Sequence, residues 1–135
     1  MPHLVLLYSP DIGRDVDVGG LCHALAATMI GLRDEHDKQV FPTGGTRVLG
    51  YPAAYAAVAD GRGDYGFLYA NLRMGSGRSA AVHQAVGTAL LGVLKTWMDP
   101  LLAQRPVGVT LQIDESPGQV FDAKHSSLHP LFNKS

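Results

Sequence analysis

Residues 1–8, Met1-Pro2-His3-Leu4-Val5-Leu6-Leu7-Tyr8, set a proline next to the initiator methionine and run at once into an apolar strand. Leu4 to Leu7 lack the alternation of a half-buried strand, so both faces of the strand call for cover. The proline has two readings. On this stretch alone it is an ordinary start to an edge strand, where a missing backbone donor is tolerated. With Met1 removed, Pro2 would instead be a terminal secondary amine, able to take and return protons once burial and nearby cations lower its pKa toward neutrality.

Outward from this stretch, the same sequence of signals occurs twice. Tyr65, Phe67, Tyr69 and Asn71 alternate with Gly66, Leu68, Ala70 and Leu72 and predict a strand ending near Arg73, so that Gly66-Phe67-Leu68-Tyr69 answers Leu4-Val5-Leu6-Leu7-Tyr8. Each strand precedes a helical stripe. Val18, Leu21, Cys22, Leu25, Ala26, Met29 and Ile30, with Asp17 as cap, predict a helix from about Val18 to Arg33, after a polar connection over Gly13 to Asp17. Ser79 can cap a second helix, whose Val82, Val86, Ala89, Leu90, Val93, Leu94 and Trp97 carry it to about Met98, with Pro100 and Pro106 bracketing the exit. Val107, Val109, Leu111 and Ile113 then alternate as a half-buried last strand. Between the halves lie the charged turn Asp34 to Lys38 and the turn-rich Phe41-Pro42-Thr43-Gly44-Gly45-Thr46-Arg47, which leads into an extended piece. By propensity alone, Ala53 to Ala59 favour a short helix between Pro52 and Gly61.

The fold class is therefore α+β: two βαβ units, about 1–60 and 61–115, forming one four-stranded mixed sheet with two helices on one face. Residues 1–135 make one domain. No further long helix is available for the other sheet face, so another subunit is the expected cover. The arm 116–135 keeps Val120, Phe121, Leu128, Leu131 and Phe132 and is expected to dock on a neighbour.

Composition narrows the function classes. A formal net charge of −1, with no basic stripe, gives no electrostatic case for nucleic acid or an anionic membrane. Cys22 is the only cysteine, which excludes an intrachain disulfide and a multi-thiolate zinc site and fits a reducing compartment. The apolar run stops at Tyr8 with no basic stretch before it, so the expectation is no signal peptide, no membrane span and a cytoplasmic protein.

Few motifs survive scrutiny. Gly75-Ser76-Gly77-Arg78-Ser79-Ala80 formally matches a dinucleotide fingerprint, but the chain is too short for the doubly wound sheet, and Asp99 falls at a helix end where a strand is required. Backbone N–H groups at a helix start plus one guanidinium remain, an arrangement suited to a carboxylate; the alternative is a turn with a surface arginine. His125 and His129 share a helical spacing without the glutamate of a zinc protease motif, so no metal is expected. Adjacent Asp114 and Glu115 point to opposite sides of a strand, and Cys22 belongs to a core stripe. His3, His23, His36 and His83 are read as structural.

Taken in order, Met1-Pro2-His3, Phe41-Pro42, Gly45-Thr46-Arg47, Ala59-Asp60-Gly61, Asp64-Tyr65-Gly66-Phe67, Gly75-Ser76-Gly77-Arg78-Ser79 and His129-Pro130-Leu131-Phe132 resemble the 5-carboxymethyl-2-hydroxymuconate isomerases of the tautomerase superfamily, nearly end to end. The resemblance implies a duplicated βαβ unit assembled as a homotrimer, with Pro2 as the catalytic residue and Arg47 and Arg78 as the family's arginines. It implies extended chain at Ala53 to Ala59. The apolar Val48-Leu49-Gly50-Tyr51-Pro52 departs from the longer, more basic stretch common in the family, a departure that leaves substrate preference open.

The chemistry implied by the resemblance is a cofactor-free proton shift on an unsaturated 2-hydroxy acid with several carboxylates. Pro2 takes the hydroxyl proton and returns one to carbon, giving the conjugated 2-oxo isomer, in aromatic catabolism. A positioned acid–base group of this kind gives ~10²–10⁴-fold. The alternatives are another terminal-proline activity (hydratase, dehalogenase or decarboxylase) or a non-catalytic oligomer that binds carboxylates or protein.

Overall fold

The computed structural model describes residues 2–132; the expected removal of Met1 and the last residues of the arm lie outside the described residues. Strand β1 (His3–Tyr8) is followed by a one-turn helix α1 (Ile12–Asp15), helix α2 (Val18–Gly31) and strand β2 (Arg47–Pro52). Strand β3 (Gly66–Gly75), helix α3 (Ala80–Leu102) and strand β4 (Val107–Ser116) repeat that order. Each half is a parallel pair joined through a helix, and β1 pairs antiparallel with β3, giving the sheet order β2-β1-β3-β4. The α+β architecture with a four-stranded mixed sheet, read from the repeat, is the one observed.

Burial alternates along the central strands. Leu4, Leu6 and Tyr8 of β1 and Leu68, Ala70, Leu72 and Met74 of β3 face the helices and are buried with Leu21, Leu25 and Met29 of α2 and Val86, Leu90, Leu94 and Met98 of α3. At about 25 cal/mol per Å² of apolar area removed from water, this single cluster is the main source of stability. The opposite face carries Val5, Leu7, Leu49, Tyr51, Phe67 and Tyr69; Leu7 remains 41% and Tyr51 52% exposed in the isolated chain.

Both expected caps are present: Asp17 Oδ1 accepts from Gly20 N at 3.0 Å and Ser79 Oγ from Val82 N at 3.2 Å, each of a kind that contributes about 1 kcal/mol. Four details differ from the sequence reading. Within the expected polar connection, Ile12–Asp15 close a helical turn, because Ile12 is drawn into the core. Helix α2 stops at Gly31, two residues short of Arg33. Helix α3 passes through Pro100 to Leu102: the carbonyl that Pro100 cannot bond belongs to exposed Thr96, and buried Leu101 holds the last turn down. Residues 53–59 form neither helix nor strand; Ala53 N donates to Tyr8 O at 2.7 Å and irregular chain follows to Ala59 at φ 54.

The arm makes a contact within the chain as well. Its end returns to its own chain, where the 3₁₀ turn His129–Leu131 packs on the 3₁₀ turn Thr43–Gly45, while Val120 and Phe121 remain exposed. At the other end of the sheet an ion-pair clamp closes the structure. Arg105 Nη2 lies 2.6 Å from Asp11 Oδ2 and 3.0 Å from Asp15 Oδ2. Burial alone would raise the Asp11 carboxyl, but hydrogen bonds from Ser9 and Arg105 reverse this and leave it below the usual carboxylate value. Gly66 passes so close to the clamp that a β-carbon there would collide with Asp11 Oδ2.

Candidate active site

The register of the sheet builds the candidate site. His3 of β1 is paired with Arg47 of β2 on one side and Arg73 of β3 on the other, and Arg73 is paired with Asp114 of β4. Because side chains directly opposite one another share a face, Arg47, His3, Arg73 and Asp114 form a row across the helix-free face at the end of the sheet where β1 begins. Pro2, buried, stands immediately before that row, and its carbonyl accepts from Arg47 N at 3.3 Å.

The two arginines reach this end by different routes. Arg47 follows the turn Thr43–Gly45, and its Nη1 donates to Gly44 O at 3.0 Å. Arg78 lies in the turn after β3, where Gly77 takes φ 104, a conformation that favours glycine. Its Nη1 donates to Gly75 O at 3.0 Å and its Nη2 to Val40 O at 2.9 Å, and its guanidinium carbon stands 5.2 Å from the centre of the Phe41 ring. Arg78 is thus half-buried and fixed, unlike the surface arginine that the turn alone would allow. Each guanidinium keeps N–H groups beyond those bonds for an anion.

Pro2, Arg47 and Arg78 therefore gather at one end of the sheet, but the arginines do not open into one cavity within the chain. A cavity of about 460 Å³ is lined by His3, Arg73, Ser76, Ser116, Gln119 and Lys124, among others, so the arm forms one of its walls. Arg78 lines a separate cavity of about 170 Å³ with Asp34, Glu35 and Gln39.

Sequence reasoning missed His3 and Arg73. His3, read as structural, has a fully inaccessible Nε2 with no hydrogen-bond partner among the described residues. Burial, then the charges of Arg47 and Arg73, hold its imidazole below the ordinary value of 6.5. Arg73 closes the alternating pattern of β3, so its face was legible, but its partners required the register. The carboxylate of the row, Asp114, lies on β4, two strands from β1, and accepts from Asn71 Nδ2 at 2.8 Å.

Comparison with known proteins matches the chain to one family. The family described as 5-carboxymethyl-2-hydroxymuconate isomerase matches residues 2–132. The chain is 27% identical to the 5-carboxymethyl-2-hydroxymuconate Delta-isomerase of Escherichia coli, over 98% of this chain and 99% of that one. A crystal structure of a 5-carboxymethyl-2-hydroxymuconate delta-isomerase superposes with a TM-score of 0.94 at 51% identity, covering 100% of this chain and 95% of that chain. A crystal structure of a 5-carboxymethyl-2-hydroxymuconate isomerase from Deinococcus radiodurans R1 gives 0.84 at 28% identity, covering 98% and 95%.

The lowered pKa of His3 has a signed consequence. The unfolded chain binds the proton more readily than the folded one, so the His3 contribution to stability falls as pH drops below 6.5 and levels off below the folded pKa. Wild type should therefore lose melting temperature more steeply than His3→Gln between about pH 7 and about pH 5. In an NMR titration, Arg73→Ala should move the His3 midpoint upward; an unmoved midpoint would remove Arg73 as a cause.

Proposed function

The chain belongs to the 5-carboxymethyl-2-hydroxymuconate isomerase family, and from that premise we propose that it isomerises a polycarboxylate 2-hydroxy-dienoate to its 2-oxo isomer, with Pro2 as the proton carrier. The observation that supports this reading is the juxtaposition of buried Pro2 with the cationic row containing Arg47 and Arg73. With Met1 removed, the Pro2 nitrogen is a secondary amine. Positive neighbours and burial both disfavour its ammonium form, as the scheme requires of a base that works near neutral pH.

The reaction balances within substrate and protein. Pro2 accepts the 2-hydroxyl proton, the C–O bond becomes a carbonyl, and an electron pair moves along the diene to a distal carbon. That carbon takes a proton from the Pro2 ammonium, restoring the base. Arg47 stabilises the charge developing on the 2-oxygen, and Arg78, fixed over Phe41, binds a substrate carboxylate. Asp114 is already engaged by Asn71, so this scheme assigns it no part in activating water.

The domain acts as a single tautomerase-like unit, working as a cytoplasmic homotrimer. Among the described residues no helix is long and apolar enough to cross a membrane. The exposed Leu7, Leu49 and Tyr51 on the helix-free face supply an apolar surface for neighbouring copies, which would also bring further walls to the open cavity beside His3.

Three measurements bear on this reading. Light scattering at micromolar concentration should give three times the chain mass; a monomer would reject the assembly. Arg78→Ala should raise KM for polycarboxylate substrates about tenfold or more with little change in melting temperature, as removal of a charged anion contact implies. Unchanged kinetics would take Arg78 out of the site. Pro2→Ala, in protein whose intact mass shows the loss of Met1, should reduce kcat by about 10²-fold or more while the fold is kept. Equal turnover by wild type, Pro2→Ala and a form retaining Met1 would show that Pro2 is not the base.

A further inference from the structure

The loop that carries Arg47 and the end of the described chain meet at one residue. Gly44 is buried, and its carbonyl accepts from Arg47 Nη1 at 3.0 Å. A β-carbon built on Gly44 would stand 3.3 Å from His129 Cα and 3.3 Å from Phe132 Cδ2, so the turn His129–Leu131 and the following phenylalanine lie directly against it. Both sides of this contact are braced. On one side, Gly45 N donates to Pro42 O at 3.1 Å and Thr46 Oγ1 to the same carbonyl at 2.9 Å. On the other, Ser126 Oγ accepts from Leu128 N at 3.0 Å and His129 N at 3.2 Å, and Phe132 N donates to His129 O at 3.0 Å.

The rest of the arm is built differently. Val120 is 108% and Phe121 84% exposed, so this stretch contributes little to the core, yet the chain spans it and then folds its end onto Gly44. An arginine side chain has many rotamers, and the energy of a guanidinium contact to a developing charge depends on placement to within about 1 Å. Here one backbone carbonyl receives the guanidinium, and the glycine that carries it packs against the turn His129–Leu131 and Phe132.

We propose that the turn His129–Leu131 with Phe132 is a positioning element for catalysis: by pinning Gly44 it holds the Arg47 guanidinium beside the start of β1. The inference rests on the role given to Arg47 above. Phe132 and His129 are positioning residues in this scheme and need no contact with substrate.

The test is a double-mutant cycle in the full chain, reading kcat and KM on a polycarboxylate dienol together with melting temperature. Phe132→Ala and Gly44→Ala should each lower kcat/KM by about ten- to a hundredfold, mostly through kcat, and Phe132→Tyr, which keeps the ring, should restore it. In an Arg47→Ala background the same changes should cost less than about twofold more, because the group they position is gone. Equal losses in both backgrounds would mean a general structural effect and overturn the proposal. So would full activity of Phe132→Ala and Gly44→Ala where Arg47→Ala is impaired. A fully active Arg47→Ala would remove Arg47 from the site and the positioning role with it, an outcome distinct from the first two.

Discussion

The antiparallel pairing of β1 with β3 is the constraint on which the rest of the molecule depends. Each βαβ half can form its own parallel pair, but neither pair buries both faces of its strands. Pairing β1 with β3 sets Leu4 opposite Leu72 and Leu6 opposite Ala70, so the core becomes one cluster shared by both helices. The same ladder sets His3 opposite Arg73 and brings the turn containing Arg78 back toward the start of the chain. A slip of one residue would exchange the two faces, moving leucines to solvent and the cationic row into the core. Stability and the candidate site are therefore specified by one set of hydrogen bonds.

That coupling accounts for the electrostatic character of the site. The row sits on the face away from the helices, at the edge of an apolar surface formed by Val5, Leu7, Leu49 and Tyr51. Cations in partly dehydrated surroundings act on a neighbouring proton carrier more strongly than they would in water. Two cations at this end, Arg47 in the row and Arg78 in the turn after β3, are tethered to backbone carbonyls, which fixes their position without neutralising them. A carboxylate in the same place would have fixed them too, at the cost of the positive field on which the proposed substrate binding and neutral amine depend.

Much of this was legible in the residues. The stripes of α2 and α3, their Asp17 and Ser79 caps and the alternation of β3 and β4 follow from local chemistry and appear in the structure nearly at the expected bounds. The edge strand β2 was harder: it is short and mostly exposed, and the alanines after Pro52 mimic a helix. The packing of Leu101 carried α3 past Pro100, and that of Ile12 closed α1, which no local propensity reports. At the site, Pro2, Arg47 and Arg78 could be named from the resemblance, whereas His3 and Arg73 became visible only once the register was known. The return of the arm to Gly44 left no local signal, because a glycine in a turn reads the same whether its face meets water or a phenylalanine.

The clamp at the opposite end of the sheet occupies the place that the repeat makes equivalent to the candidate site. The repeat that superposes β1 on β3 carries the Pro2 end onto the start of β3, and the beginning of β2 onto that of β4. At this mirrored end Gly66 is an interior residue whose nitrogen is an amide, without a basic lone pair. The guanidinium beside that place belongs to Arg105, and Asp11 and Asp15 hold it in ion pairs so close to Gly66 that a β-carbon there would find no room. At one end of the repeat Arg47 and Arg78 rest on backbone carbonyls; at the other, the guanidinium of Arg105 is paired with carboxylates and serves as a fastener. The two ends of the repeat thus divide labour, and in the proposed scheme only the end that carries Pro2 offers an amine to a substrate.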